Sequence, residues 1–138
     1  MLHLDKEGGI NQITNKIIGA AIEVHRNLGP GLFETVYEQC LCYEFELRNV
    51  DFKRQMYMPI VYKGKTFENG FRADLLVEGQ VIVELKAVNS LLPVHETQIL
   101  NYLRLAKLDI GLIINFNVPV LKEGIKRVIS ARRENCCE

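Results

Sequence analysis

The sequence has no excess of either charge, because 17 lysines and arginines balance 17 aspartates and glutamates. A protein without net charge has no global positive field to attract nucleic acid, which disfavours non-specific binding by the whole surface. A local basic groove is still compatible with this composition. Two basic stretches are candidates for such a groove, and each is equally explained as ordinary solvated surface. The first contains Lys53, Arg54, Lys63, Lys65 and Arg72. The second contains Lys122, Lys126, Arg127, Arg132 and Arg133.

The sequence also lacks long apolar runs. No segment reaches the roughly 18 apolar residues that a membrane-spanning helix needs, and the first nine residues do not resemble a secretory signal. We therefore expect a cytoplasmic protein without a membrane partner. In that reducing compartment its cysteines would be free thiols, and their spacing is poor for a zinc site: Cys40, Cys42, Cys136 and Cys137.

Repeats, low-complexity tracts and linkers rich in proline or serine are absent from the sequence. We therefore expect residues 1–138 to form a single domain, with a core from about 10 to 130 and frayed ends at about 1–9 and 131–138. A chain of 138 residues is long enough to bury a core without a metal or disulfide.

Apolar periodicity predicts two helices, then a group of strands, a third helix and further strands. The nearly all-apolar strand at 110–116 is expected to be buried on both faces. This order predicts a mixed α/β or α+β layered fold. The predicted helices are about 11–27, 32–49 and 94–107, and the predicted strands are about 56–62, 65–69, 71–77, 81–88, 110–116 and 125–129.

The most informative segment is a predicted hairpin at residues 72–87. If residues 78–80 form its loop, six apolar residues share one face, since side chains alternate along a strand. A one-residue slip would mix apolar and polar residues, so the pattern selects this register. Its apolar pairs are Val77 with Val81, Leu75 with Val83, and Ala73 with Leu85.

The opposite face of this hairpin then carries Asp74 opposite Glu84, and Arg72 opposite Lys86. Two facing carboxylates repel and destabilise a sheet unless basic side chains or a cation compensate. Mg²⁺ accepts one or two carboxylates, with waters and substrate phosphate completing its shell. The Leu85 carbonyl is a candidate third oxygen ligand, and Lys86 is placed to assist water attack or to stabilise charge on phosphate. The alternative is a solvated face with an ordinary charge cluster.

The spacing of Asp74 from Glu84-Leu85-Lys86 resembles the signature of the PD-(D/E)XK nuclease superfamily. The resemblance implies a restriction-endonuclease-like α-β-β-β-α-β core, with a central mixed sheet flanked by helices. It also implies metal-dependent hydrolysis of phosphodiester bonds, with Mg²⁺ or Mn²⁺ held by Asp74 and Glu84. Ala73 stands where the superfamily usually has proline, a position that varies among its members.

Two further segments extend the resemblance. Gln98 and Tyr102 lie one helical turn apart and resemble the Q-x-x-x-Y motif that RecB-like members carry beside the active site. Residues 23–38 resemble the hallmark of the GxxExxY proteins, with Gly31, Glu34 and Tyr37 in the named positions. The resemblance implies an acidic residue on the first core helix that assists the metal.

Glu34 is the first candidate for that acidic residue and Glu38 the reserve, while either is also explained as a surface glutamate. Tyr37 is expected in the core. His25 is expected to have a structural or capping role near a helix end, and His95 to be exposed.

The leading hypothesis is therefore a nuclease whose catalytic residues are Asp74, Glu84, Lys86, Gln98 and Tyr102, with nucleic acid, expected to be DNA, as substrate. The alternative is a weakly active or inactive module of the same fold that binds nucleic acid or docks on a DNA-processing partner. The small size and neutral charge leave little surface for gripping DNA, so a homodimer or a protein partner would supply it.

Overall fold

The structure is a computed structural model that describes residues 2–130, with side chains described from residue 9 onward. Its elements follow the chain as α1 (Leu2–Leu28), α2 (Glu34–Leu47), β1 (Phe52–Tyr62), β2 (Lys65–Val77), β3 (Val81–Lys86), α3 (Pro93–Ala106), β4 (Ile110–Asn115), a short 3₁₀ turn (Leu121–Gly124) and β5 (Ile125–Ile129). Among the described helices, none combines the length and apolar character needed to cross a membrane.

The five strands form one sheet in the order β1-β2-β3-β4-β5. β3 and β4 are parallel, and the other neighbours are antiparallel. The parallel pair needs a crossover, which α3 provides. This mixed sheet flanked by helices is the predicted restriction-endonuclease-like fold.

Helices cover both faces of the sheet and divide the core into two layers. The apolar stripes of α1 and α2 pack on one face, where Ile17, Leu41 and Phe45 meet the strands. On the other face, α3 contributes Ile99 and Leu103. All six residues of β4 are buried, which confirms the prediction of a strand covered on both sides.

Gly111 allows α3 to approach β4 closely. A Cβ at this position would lie 2.5 Å from Cδ1 of Ile99, which is closer than two carbon atoms can approach. The absence of a side chain on the strand therefore sets how near the helix lies to the sheet.

Helix α1 begins earlier than predicted. Residues 2–9 were expected to be frayed, but the helix starts at Leu2. Gly8 and Gly9 lie within this helix, and each glycine costs a helix only about 1 kcal/mol. The expected frayed end at 131–138, with Cys136 and Cys137, lies outside the described residues.

The strand prediction needs two corrections. β1 starts at Phe52 rather than at 56, and the predicted strands 65–69 and 71–77 are a single strand, β2. In the pairing of β1 with β2, the register shifts between Met58, which lies opposite Phe71, and Ile60, which lies opposite Phe67. This irregularity is a β-bulge, which bends a strand without ending it.

Candidate active site

The predicted hairpin register is confirmed where β2 and β3 pair. Val77 lies opposite Val81, and Leu75 opposite Val83. Ala73 was predicted to share their face, but it packs in the opposite layer with Ile82. In neighbouring β1, Gln55 lies between the residues that pair with Leu75 and Ala73, and it adopts a left-handed conformation with φ of 53°.

Beyond Leu75 and Val83, acidic side chains bridge the two strands. The Asp74 N–H donates to Glu84 Oε1 at 2.9 Å. In the reverse direction, the Leu85 N–H donates to Asp74 Oδ2 at 2.8 Å. Each carboxylate therefore accepts a backbone hydrogen bond from the other strand, and the hairpin itself fixes the distance between the two acidic residues.

Burial makes both carboxylates costly to ionise. Asp74 is only 4% exposed, and its burial raises its pKa above the ordinary value, although the Leu85 N–H and Arg72 oppose the shift. Burial and then the neighbouring Asp74 charge raise the pKa of Glu84 to about 7. A cation between the two groups would relieve this cost.

Arg72 is the charge that the structure places against Asp74. Its Nη2 lies 3.2 Å from Asp74 Oδ1. From the sequence, Arg72 was assigned to a basic stretch and placed opposite Lys86, but it was not predicted as a site residue. The available signal was its position two residues before Asp74 on the same strand.

A cavity of about 410 Å³ opens beside Glu84 on the α3 side of the sheet. Four of the predicted catalytic residues line it together, while Asp74 is not part of its wall. The lining residues are Gly70, Phe71, Arg72, Glu84, Lys86, Gln98, Ile99 and Tyr102.

Two of these residues come from α3. Gln98 and Tyr102 are one turn apart, and Ile99 between them is anchored on the sheet. Burial raises the pKa of the Tyr102 phenol, and the Glu84 charge adds to this effect. The Tyr102 phenol, which is protonated at neutral pH like an ordinary tyrosine, lines the same cavity as Glu84.

The two candidate glutamates of α2 do not line this cavity. Glu34 is exposed in the first turn of the helix and borders a separate depression beside Ala87. Glu38 is buried and accepts hydrogen bonds from Arg54 at 2.8 Å and from Gln55 at 3.1 Å. Glu38 therefore ties α2 to β1, and this contact pairs Arg54, which belongs to the basic stretch predicted to be either a groove or solvated surface.

The oxygen donors suit a hard divalent cation. Asp74 and Glu84 supply two carboxylates, and a Mg²⁺ or Mn²⁺ ion needs only one or two with water and phosphate oxygens. Within residues 9–130, no three acidic, histidine or cysteine side chains are grouped to hold a metal among them. The donor set therefore fits an open site and does not fit a closed structural one.

The segment that resembles the GxxExxY hallmark has a clear structural role. The Tyr37 hydroxyl donates to the Gly29 carbonyl at 2.6 Å and accepts from the Leu32 N–H at 3.2 Å. The Tyr37 ring stacks on Phe116, with centroids 4.4 Å apart. Tyr37 is thus a core residue, as predicted, and it holds the α1–α2 loop against the end of β4.

Two histidines also have structural contacts. His25 Nε2 lies 2.8 Å from the Val118 carbonyl, which confirms its structural role. His95 was predicted to be exposed, but it is half-buried, and its Nδ1 accepts the Leu92 N–H at 3.0 Å. The first backbone N–H groups of a helix have no partner within the helix. The His95 side chain accepts the N–H of Leu92, the residue directly before α3.

Comparison with solved structures supports this fold. The crystal structure of SSO0001 superposes with a TM-score of 0.54 at 18% sequence identity, over 70% of this chain and 49% of that one. The match therefore spans about half the length of SSO0001, and at this identity it bears on the fold alone. No curated protein sequence matches the chain.

Comparison with protein families gives a match over most of the sequence. The matching model describes the PD-(D/E)XK nuclease superfamily and covers residues 11–128. This range includes α1 from residue 11 onward, all of α2, the three cavity-forming elements and most of β5. On this evidence, the chain belongs to the PD-(D/E)XK nuclease superfamily.

Proposed function

We propose that the protein is a metal-dependent nuclease that hydrolyses phosphodiester bonds of DNA at the Asp74–Glu84–Lys86 site. The observation that carries the proposal is the hairpin geometry. The buried Asp74 carboxylate and the half-buried Glu84 carboxylate are bridged across β2 and β3, and Lys86 lies two residues beyond Glu84 in the wall of the same cavity. Membership of the superfamily supports nuclease chemistry, and the donor set supports Mg²⁺ or Mn²⁺.

Asp74 and Glu84 would hold the metal ion, with the Leu85 carbonyl as a third donor. Glu34 would assist from α2, and Glu38 would do so only after leaving Arg54. When bound, a divalent cation lowers the pKa of water and polarises the phosphate. In the reaction, a water oxygen forms a bond to phosphorus, the ester oxygen leaves and takes a proton, and no covalent enzyme intermediate forms.

Lys86 would orient the attacking water and stabilise the charge that develops on phosphate. Its half-buried position beside the cavity strengthens this electrostatic effect, because water screens it less. Gln98 and Tyr102 would contact the substrate or orient the site from α3. The Tyr102 hydroxyl would donate a hydrogen bond, since a tyrosine is protonated at neutral pH.

Cleavage of labelled DNA in Mn²⁺ tests the proposal. Wild type is expected to cut single- or double-stranded DNA, while Lys86→Ala and chelated wild type are not. Lys122→Ala is the matched control, because Lys122 is exposed on the 3₁₀ turn outside the cavity. If Lys86→Ala cuts as fast as Lys122→Ala, Lys86 is not part of the mechanism.

One observation favours the second candidate, a nuclease-fold module that binds nucleic acid, or docks on a partner, without efficient catalysis. Arg72 holds Asp74 Oδ1, an oxygen that the metal would need. Thermal stabilisation by Mn²⁺ separates the two functions. Stabilisation in wild type that is lost in Asp74→Asn supports the nuclease, and no stabilisation in either supports the module.

We also propose that the protein is a member of the GxxExxY group, because Gly31, Glu34 and Tyr37 match the hallmark of that group. A single domain over residues 1–138 and a cytoplasmic location are predictions of the same kind.

A further inference from the structure

The β1–β2 hairpin extends beyond the rest of the sheet. β3 pairs only with residues 75–77 of β2, whereas β1 and β2 pair with each other as far as Tyr62 and Lys65. All residues from 59 to 70 are exposed. We call this projecting part, residues 59–70, the ribbon.

The ribbon joins the candidate active site directly. Its last residue, Gly70, lines the cavity together with Phe71 and Arg72. The bulge lies at this junction, and a Cβ on Gly70 would be 2.5 Å from Cγ2 of Ile60. Because a bulge redirects a strand pair, the missing side chain at Gly70 helps set the direction in which the ribbon leaves the cavity.

One face of the ribbon carries exposed rings. Ile60 pairs with Phe67, and Tyr62 pairs with Lys65, so these four side chains share a face. Tyr62 is 62% exposed and Phe67 45%. Apolar rings on a two-stranded projection bury little surface within the protein, and therefore they are available to a ligand with a flat apolar surface.

Positive charge surrounds these rings. The Lys63 ammonium lies 5.4 Å from the centroid of Tyr62, and the Lys65 ammonium 5.3 Å from that of Phe67. Glu68 is the single acidic residue of the ribbon. A ligand that fits this face combines flat rings with regularly spaced negative charges.

We infer that the ribbon binds an unpaired nucleic-acid strand and leads it into the cavity. Bases stack on Tyr62 and Phe67, and Lys63 and Lys65 contact the phosphates on either side. Stacking requires bases with a free face, so the ribbon selects single-stranded over fully paired substrate. The inference rests on the proposed nuclease function and names its substrate class.

A second copy of the chain fits this surface less well. β1 is an edge strand, and Pro59 lacks the N–H that pairing with another strand would use. A face-to-face dimer would also bring Lys63 and Lys65 of two copies together. A polyanionic strand would instead be attracted by the ammonium groups of Lys63 and Lys65.

Fluorescence anisotropy with a labelled short oligothymidylate tests the inference in EDTA, where binding is separated from cleavage. The Tyr62→Ala/Phe67→Ala variant is expected to bind at least about tenfold more weakly, because each stacked base contributes substantially to affinity. Binding to a blunt-ended duplex of two separate strands, which has no unpaired loop, should be unchanged. Tyr43→Ala is the matched control, since Tyr43 is 61% exposed on α2.

The Lys63→Gln/Lys65→Gln variant is a second, independent test. Loss of two phosphate contacts should reduce the slope of log affinity against log salt by about 1.4 for a single strand. Lys122→Gln should leave the slope unchanged. Oligouridylate measured in parallel shows whether the strand-binding chemistry extends to RNA, and weaker binding by the variants to either oligonucleotide supports the inference.

The inference is overturned if both ribbon variants bind both oligothymidylate and oligouridylate like wild type, or if the ring variant loses duplex binding equally. It is also overturned if wild type sediments as a dimer and the ring variant as a monomer with unchanged affinity. Absence of cleavage in Mn²⁺ with intact ribbon-dependent binding would refute the nuclease function and leave a strand-binding surface.

Discussion

Replacing Glu84 by glutamine should make the metal-free protein less sensitive to rising pH. Burial and the Asp74 charge raise the Glu84 pKa from its ordinary value of 4.5 to about 7. Between these values the folded protein holds a proton that the unfolded chain releases. The free energy of unfolding therefore falls as pH rises through this window, and the loss is complete above the folded pKa.

The size of the effect follows from the shift. One pKa unit corresponds to about 1.4 kcal/mol, so a shift of about 2.5 units removes about 3 kcal/mol of stability. Glutamine cannot lose a proton, while its amide oxygen still accepts the Asp74 N–H. As pH rises from about 5 to about 8, the free energy of unfolding of Glu84→Gln should therefore increase by about 3 kcal/mol relative to that of wild type.

Urea unfolding in EDTA at the two pH values measures this difference. Other ionisable groups are common to both proteins, so the double difference isolates Glu84 together with Asp74, whose titration is coupled to it. Glu123→Gln is the matched control, because Glu123 is exposed on the 3₁₀ turn, and its profile should parallel that of wild type. A Glu84→Gln profile parallel to wild type would refute the electrostatic argument for the acidic pair.

Three further predictions concern activity and packing. Lys86→Ala should lower kcat by about 10²–10³-fold, as loss of one preorganised charge donor does elsewhere, with an unchanged circular dichroism spectrum. Tyr37→Phe should cost about 1–3 kcal/mol in urea unfolding because it removes both hydrogen bonds to the α1–α2 loop, and a neutral result would contradict its anchoring role. Gly124→Ala should cost about 1–3 kcal/mol, since its Cβ would lie 2.1 Å from the Asn115 carbonyl oxygen. Gly9→Ala, with nothing within 4 Å, should instead gain up to about 1 kcal/mol in the same measurement.

Local patterns predicted the parts of the fold that depend on one strongly biased segment. The apolar run at 110–116 predicted a strand buried on both sides, and the alternation around residues 78–80 predicted the hairpin register. The structure confirms both. Gly124 indicated that helix does not continue there, and β5 begins at the next residue. In each case the side-chain pattern and the backbone preference agree.

Contacts between distant segments could not be predicted in the same way. The packing of Ala73 in the α3 layer together with Met56 requires knowing that β1 lies beside β2. The contact of Glu38 with Arg54 requires knowing that α2 lies beside β1. Four of the residues named from the resemblance line one cavity, but the Arg72–Asp74 ion pair appears only when both side chains are positioned in space.

The exchange of backbone hydrogen bonds between Asp74 and Glu84 determines which variants report on chemistry. An ionised carboxylate has about four lone-pair positions. Asp74 gives one to the Leu85 N–H and one to Arg72, and Glu84 gives one to the Asp74 N–H. Enough lone pairs remain to coordinate a cation while β2 and β3 stay joined, with Arg72 as the group to be displaced. Alanine at Asp74 would instead open the strands and remove the ligand together, so amide replacements are the informative ones.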